Sequence, residues 1–264
     1  MATARKRVSE ARKQADVREL ERRAGEHQVR GFRRSLERGA AAGTAVIAEL
    51  KKASPSRGII RSDFDVLTLA VELEKAGASA LSVLTDEEFF QGSLENLRGA
   101  SSATKLPCLR KDFIVDELQL LEARAFGADA VLLIVAALSA EELKSLWRKS
   151  REFELDVLCE VHDEEELRRA VDAGCDTIGV NSRDLRTFRV DLETPQRLAS
   201  AIPGNVFAVA ESGIHSGEDV RRLKGAGYRA FLVGESLMKA ESPGAALTEL
   251  LASSKEGNVS RAGD

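Results

Sequence analysis

The chain has 264 residues, 43% hydrophobic and 31% charged, which is enough apolar material for one large core and excludes a disordered or collagen-like chain. Its longest unbroken apolar run, residues 130–138, is far short of a bilayer span, and the first forty residues hold no apolar stretch like that of a signal peptide. Three scattered cysteines match neither a disulfide framework nor a zinc spacing, so the expectation is a soluble, cytoplasmic protein with reduced thiols.

The chain opens with a basic arm: over residues 1–38 twelve Lys/Arg oppose six Asp/Glu, while the whole chain carries −4. Val8, Ala11 and Ala15, then Val17, Leu20 and Ala24, recur at helical spacing. Both charge signs are mixed, and no aromatic residue is interleaved before Phe32. This favours an amphipathic helical segment packed on the main domain over a nucleic-acid arm.

From residue 45 onward, short β-branched or apolar runs alternate with segments of 3.6 periodicity. The pattern predicts strands at 45–50, 80–85, 107–112, 130–136, 156–161, 177–182, 206–212 and 230–234. The predicted helices that follow them are 65–76, 93–103, 116–126, 139–153, 163–173, 192–201, 216–226 and 242–251. Ser139 with Glu142, and Ser216 with Asp219, are spaced as helix caps. Gly77, Gly127, Gly174 and Gly227 each stand between a helix and the next strand, two βα units apart, where a left-handed residue turns one into the other. Eight such units fit an α/β fold of the closed (β/α)8 TIM-barrel kind. Residues 1–43 would be an N-terminal helical extension, 44–252 the barrel and 253–264 a flexible polar tail. An open doubly wound sheet is the alternative, although the first βα turn lacks G-x-G-x-x-G.

In such a barrel the active site is built at the C-terminal ends of the strands. Those ends nominate Glu49 and Lys51, which share a face by period two, then Lys111, Glu160, Asn181, Arg183, Glu211 and Ser212. Any one could be a hydrated rim residue. As a set, Lys and Glu terminating apolar strands 1, 3 and 5 converge on one spot and favour acid–base chemistry. No ligand-spaced His/Cys/Asp cluster appears, so no metal is expected, and His162 reads as a loop or helix-start residue. Gly213 after strand 7, and Gly234 with Glu235 after strand 8, stand where barrels bind phosphate through main-chain N–H groups. The long first βα loop, 52–63, carries Ser54-Pro-Ser-Arg-Gly58; its Pro and Gly fit a hinged lid, and Ser54 and Arg57 suit a phosphate. Phe90 and Phe113, just past strand ends, and Leu132 offer an apolar wall for an aromatic ring, whereas Leu133 reads as core.

Five motifs stand at strands 1, 3, 6, 7 and 8 of this pattern: Ile47-Ala-Glu-Leu-Lys-Lys-Ala-Ser-Pro-Ser56, Leu109-Arg-Lys-Asp-Phe-Ile114, Gly179-Val-Asn-Ser-Arg-Asp-Leu185, Val209-Ala-Glu-Ser-Gly213 and Phe231-Leu-Val-Gly-Glu-Ser-Leu-Met238. Together they resemble the indole-3-glycerol phosphate synthase family, from about residue 44 to about 251. The resemblance implies ring closure of 1-(2-carboxyphenylamino)-1-deoxyribulose 5-phosphate with loss of carbon dioxide and water, a step of tryptophan biosynthesis that uses no cofactor or metal. It makes Lys111 the general acid on the substrate carbonyl and Glu160 an acid–base residue for dehydration, with Lys51 binding the carboxylate or moving protons. Glu49, Asn181, Glu211 and Ser212 would position these groups, and Arg183 would add positive potential. The implied partner is a small phosphorylated aromatic substrate, with no nucleic acid or membrane; the chain is expected to be a monomer, with at most weak contacts to other enzymes of the pathway. The related phosphoribosylanthranilate isomerases use a Cys base on strand 1 and an Asp acid on strand 7, where this chain has Glu49/Lys51 and Glu211. A non-catalytic barrel serving as an interaction subunit is the third reading, and the unsubstituted motif positions argue against it.

Overall fold

The computed structural model describes residues 2–184, 189–191 and 193–255. Eight parallel strands close into a barrel in chain order: β1 (Ala45–Leu50), β2 (Ala80–Leu84), β3 (Cys108–Lys111), β4 (Ala130–Ile134), β5 (Asp156–Val161), β6 (Thr177–Asn181), β7 (Phe207–Glu211) and β8 (Ala230–Val233). Closure is made where β1 pairs with β8 (Ala45 opposite Ala230) on one side and with β2 (Ile47 opposite Ala80) on the other. Every predicted strand is present. The run expected to 136 stops at Ile134, because Val135–Ala137 coil into a single 3-10 turn despite unchanged hydropathy.

The helices are α1 (Ala2–Gln14), α2 (Val17–Glu26), α3 (Phe32–Ala41), α4 (Val66–Lys75), α5 (Glu87–Phe90), α6 (Leu94–Ala103) and α7 (Glu117–Ala125). They continue as α8 (Ala140–Glu152), α9 (Glu164–Ala173), α10 (Glu193–Ala199), α11 (Gly217–Gly225), α12 (Glu235–Lys239) and α13 (Pro243–Ser253). Ser139 with Glu142 and Ser216 with Asp219 form reciprocal capping boxes at the starts of α8 and α11. Gly77, Gly127, Gly174 and Gly227 have φ of 97°, 85°, 95° and 109°, the left-handed turn from helix to strand that their spacing predicted. Leu185 of the third motif and residue 192, the expected start of α10, lie outside the described residues, as do residues 256–264 of the expected tail. The ordered barrel runs past 252: α13 includes Ser253, and buried Ser254 places Oγ 2.9 Å from Thr44 Oγ1.

Period-two alternation divides the strands between two apolar layers. Val46, Ala48, Val131, Leu133 and Val157 face the helices, while Ile47, Leu109, Leu132, Leu158, Phe207 and Val209 fill the barrel interior. Leu133 is thus outer core, as its sequence reads. Phe32 and Leu36 of α3 join the interior layer with no exposed surface, plugging the N-terminal end. At ordinary transfer energies each contributes about 2 kcal/mol.

The N-terminal extension is more than a single amphipathic helix lying on the surface. Arg30 binds Asp129 and the carbonyls of Ser101, Thr104 and Gly127 at the floor of the barrel. At the opposite end Arg7 of α1 bridges Asp86 (2.6 Å) and Asp112 (2.9 Å), just beyond β2 and β3, and Arg12 reaches Asp116. Phe32 is a plug, and five of the arm's basic residues, Arg5, Arg7, Arg12, Arg30 and Arg33, pair with carboxylates of the barrel.

The expectation of three reduced thiols needs correction: Cys159 and Cys175 form a disulfide, and Cys108 is the free, buried one. Sixteen residues separate the pair in sequence, but Cys159 lies on β5 and Cys175 in the turn entering the adjacent β6, which brings their Cα atoms to 6.4 Å. Among the described residues no helix is long and apolar enough to cross a membrane.

Candidate active site

The inward register of the odd strands carries apolar residues at the lower levels and charge at the top. On β1 the inward sequence is Ala45, Ile47, Glu49; on β3 Leu109, Lys111; on β5 Leu158, Glu160; on β7 Phe207, Val209, Glu211. Barrel interiors are layered by alternate strands, so these four side chains meet in one layer at the mouth. They line a cavity that opens at the C-terminal ends of the strands. Fifteen of the residues singled out in the sequence border it, Glu49, Lys51, Ser54, Phe90, Lys111, Phe113, Leu132, Glu160, Asn181, Arg183, Glu211, Ser212, Gly213, Gly234 and Glu235, whereas Arg57 pairs with Glu235 and is not part of the lining.

Lys111 is the hub. Its Nζ lies 2.8 Å from Glu160 Oε2 and 3.4 Å from Glu211 Oε2, and Lys51 Nζ contacts Glu49 Oε1 at 2.5 Å across the same mouth. Burial works against the Lys111 charge, but Glu160, Glu211 and Glu49 outweigh it and hold the ammonium well above its ordinary pKa. The two carboxyls split. Burial raises both; Lys111 and His162 reverse this at Glu160 and keep it ionised. Glu211, facing the charges of Glu160 and Glu49, is pushed up to about 8. Near neutrality the site therefore holds an ammonium, one carboxylate and one protonated carboxyl, which is an acid–base set with distinct starting states. Two glycines make room for it: a Cβ on Gly179 would run into the Glu211 carboxyl, and one on Gly234 into the Glu49 side chain.

Phe90, Phe113, Leu132 and Ile134 give the cavity an apolar lining, with Phe89 edge-on to Phe113 at 6.3 Å. Ser212 and Gly213, with φ of 66° and 74°, curl the chain after β7 beside Gly234, Ser54 and Ser56. The loop 52–63 is pinned as a small hairpin in which Ala53–Ser54 pair with Gly58–Ile59. Glu235 departs from a phosphate ligand in its side chain, which accepts Arg57 (3.1 Å), Arg183 (3.2 Å) and Lys239 (2.6 Å). Its carboxylate would repel phosphate and instead parks two arginines at the rim.

Sequence reasoning missed several bordering groups. Asp86 caps α5 through its bond to the Phe89 N–H, and Asp112 accepts the Phe113 N–H, so both carboxylates held by Arg7 also set the aromatic wall. Ser56 and Ser236, which belong to the Ser-Pro-Ser and Gly-Glu-Ser stretches the sequence reading singled out, line the cavity as well. His162, read as a helix-start residue, places Nε2 3.4 Å from Glu160 Oε1. The signal was there, since 160 and 162 share a face by period two.

Comparison with known proteins gives a consistent result. The family model "Indole-3-glycerol phosphate synthase" matches residues 1–250. The indole-3-glycerol phosphate synthase of Koribacter versatilis is 62% identical over 237 residues, covering 90% of this chain and 91% of the relative. That of Bordetella pertussis is 48% identical over 254 residues, covering 96% and 94%. Among solved structures, a 3-hexulose-6-phosphate synthase superposes with TM-score 0.64 at 14% identity, covering 80% of this chain and 99% of its own, a likeness of fold alone.

Proposed function

The chain belongs to the indole-3-glycerol phosphate synthase family, and from that premise we propose that the barrel mouth converts 1-(2-carboxyphenylamino)-1-deoxyribulose 5-phosphate to indole-3-glycerol phosphate with loss of carbon dioxide and water. This is a carbon–carbon lyase reaction of tryptophan biosynthesis. The observation that carries the reading is Lys111 Nζ buried between Glu160 (2.8 Å) and Glu211 (3.4 Å) in a cavity also lined by an apolar wall and by the curled chain at Ser212–Gly213.

Lys111 donates its proton to the ribulose carbonyl oxygen as the ring carbon bearing the carboxylate attacks the carbonyl carbon. The new carbon–carbon bond leaves that ring carbon tetrahedral, and departure of carbon dioxide returns its bonding pair to the ring. The resulting hydroxyl then leaves as water while a proton is lost from the neighbouring methylene, and Glu160, starting as a carboxylate, serves this dehydration. Lys51 faces the substrate carboxylate or relays a proton, with Glu49 holding its ammonium. Asn181 and Ser212 orient the substrate, Gly213, Gly234 and Ser54 receive the phosphate, and Arg183 adds positive potential. Phe90, Phe113 and Leu132 receive the aromatic ring.

The proposal includes a cytoplasmic, monomeric enzyme with a diffusible substrate and no nucleic-acid or membrane partner. Its test is the purified chain incubated with that substrate in the presence of a chelator, followed by indole fluorescence. Product should form with the native chain and not with Lys111→Met, which keeps the stem and removes the proton. A folded native chain that makes no product overturns the assignment; turnover by Lys111→Met overturns the role of Lys111.

A further inference from the structure

Resting on the role given to Glu160 above, we propose that His162 is a positioning residue for the reaction: its imidazole, clamped by Glu166, fixes Glu160 and keeps it a carboxylate when Lys111 gives up its proton. The geometry is a line of alternating charge. Glu160 Oε2 faces Lys111 Nζ at 2.8 Å, and Glu160 Oε1 faces His162 Nε2 at 3.4 Å. On the far side of the ring, Nδ1 lies 3.0 Å from Glu166 Oε2, and the same oxygen accepts the backbone N–H of His162 at 2.8 Å. Glu166 sits in the first turn of α9, where its own N–H is bound by the capping Asp163. The clamp is therefore set by a helix start, independently of anything in the cavity.

A carboxylate beside each ring nitrogen favours the imidazolium form, with Nδ1 donating to Glu166 and Nε2 within ion-pair distance of Glu160. Burial pushes His162 down, and its two carboxylates override this and raise it to about 10. Nε2 is buried and makes no hydrogen bond, so its contact with Glu160 at 3.4 Å is an ion pair. The other titratable groups around Glu160 are Lys111 from β3, the protonated Glu211 from β7, and Glu49 with Lys51 from β1. Lys111 is thus shared among three carboxyls, and it is the ammonium that the chemistry neutralises. Once its proton moves to the carbonyl oxygen, Glu160 loses its paired ammonium while Lys51 is held by Glu49, and without another cation it would bind a proton itself. His162 is the cation that stays. It keeps Glu160 available as a base for the dehydration that follows.

The experiment compares kcat and KM from pH 5 to 10 for the native chain and for His162→Ala, His162→Gln, Glu166→Gln and Glu160→Gln. His162→Ala should lose about ten- to hundredfold in kcat with KM little changed, and its acid limb should move up by about one pH unit. His162→Gln, with an amide in place of Nε2, should recover much of kcat while its acid limb stays raised. Glu166→Gln should shift that limb in the same direction by less. If the alanine variant does not fold, the two glutamine variants carry the test. Acid limbs unchanged in both, beside an inactive Glu160→Gln, would overturn the role of His162 alone. A fully active Glu160→Gln would overturn the role of Glu160 and this inference with it.

Discussion

Replacing Glu211 with glutamine should stabilise the fold increasingly as pH rises, while lowering activity. A glutamate in the unfolded chain releases its proton near 4.5, whereas buried Glu211, facing Glu160 and Glu49, keeps its proton to about 8. Between those values the folded state binds more protons than the unfolded state, so this group makes wild-type stability fall as pH rises. The slope is about 1.4 kcal/mol per pH unit, which amounts to on the order of 3 kcal/mol by pH 7 and levels off above pH 8. Glutamine has no such titration. Its amide replaces a carboxyl whose Oε1 has no hydrogen-bond partner, at a cost of about 1–3 kcal/mol that does not depend on pH. The diagnostic is therefore the slope and not the offset. Urea unfolding of both proteins at pH 5, 6, 7, 8 and 9 should show the difference growing through pH 8, because the remaining titrations are common to both and largely cancel. A difference that stays constant from pH 5 to 9 would refute the protonated buried carboxyl.

Three further outcomes are expected. Arg7→Ala should cost about 1–2 kcal/mol, since it leaves buried Asp86 without its cation while Asp112 keeps Arg110; the cost is limited because Arg7 is 34% exposed, and urea titration measures it. The same variant should speed hydrogen exchange at Phe89 and Phe113, whose N–H groups those carboxylates accept. Gly234→Ala should lower kcat/KM by displacing Glu49, and unchanged kinetics would show that the mouth has slack there. Inorganic phosphate should slow hydrogen exchange across residues 52–63, which bring Ser54 and Ser56 to the cavity; equal protection with and without phosphate counts against a phosphate-ordered loop.

Much of this molecule was legible in its sequence because the physical signals were periodic. Two-residue and 3.6-residue alternation located all eight strands and the long helices, and glycines such as Gly127 and Gly174 marked left-handed turns. The rule that barrel chemistry gathers at strand ends then placed Lys111, Glu160 and Glu211 at one mouth. What was hidden lacked a period. The helices α5 and α12 have four and five residues, too short to show a face. The pairing of Cys159 with Cys175 depends on which strands are neighbours, and the plug formed by Phe32 and Leu36 depends on the floor being open. Glu235 reads as part of a phosphate loop from its place beside Gly234 after the last strand, but only the coordinates show its carboxylate occupied by Arg57 and Arg183. His162 had the right spacing to Glu160, and its second partner, Glu166, came from the next helix.

The central claim is tested most directly by a crystal structure with the substrate's reduced analogue, in which the ribulose carbonyl is an alcohol. That oxygen should lie within hydrogen-bond reach of Lys111 Nζ, with the phosphate against the amides of Gly213 and Gly234 and the ring against Phe90 and Phe113. An analogue bound with its phosphate elsewhere, or with that oxygen out of reach of Lys111, would contradict the account.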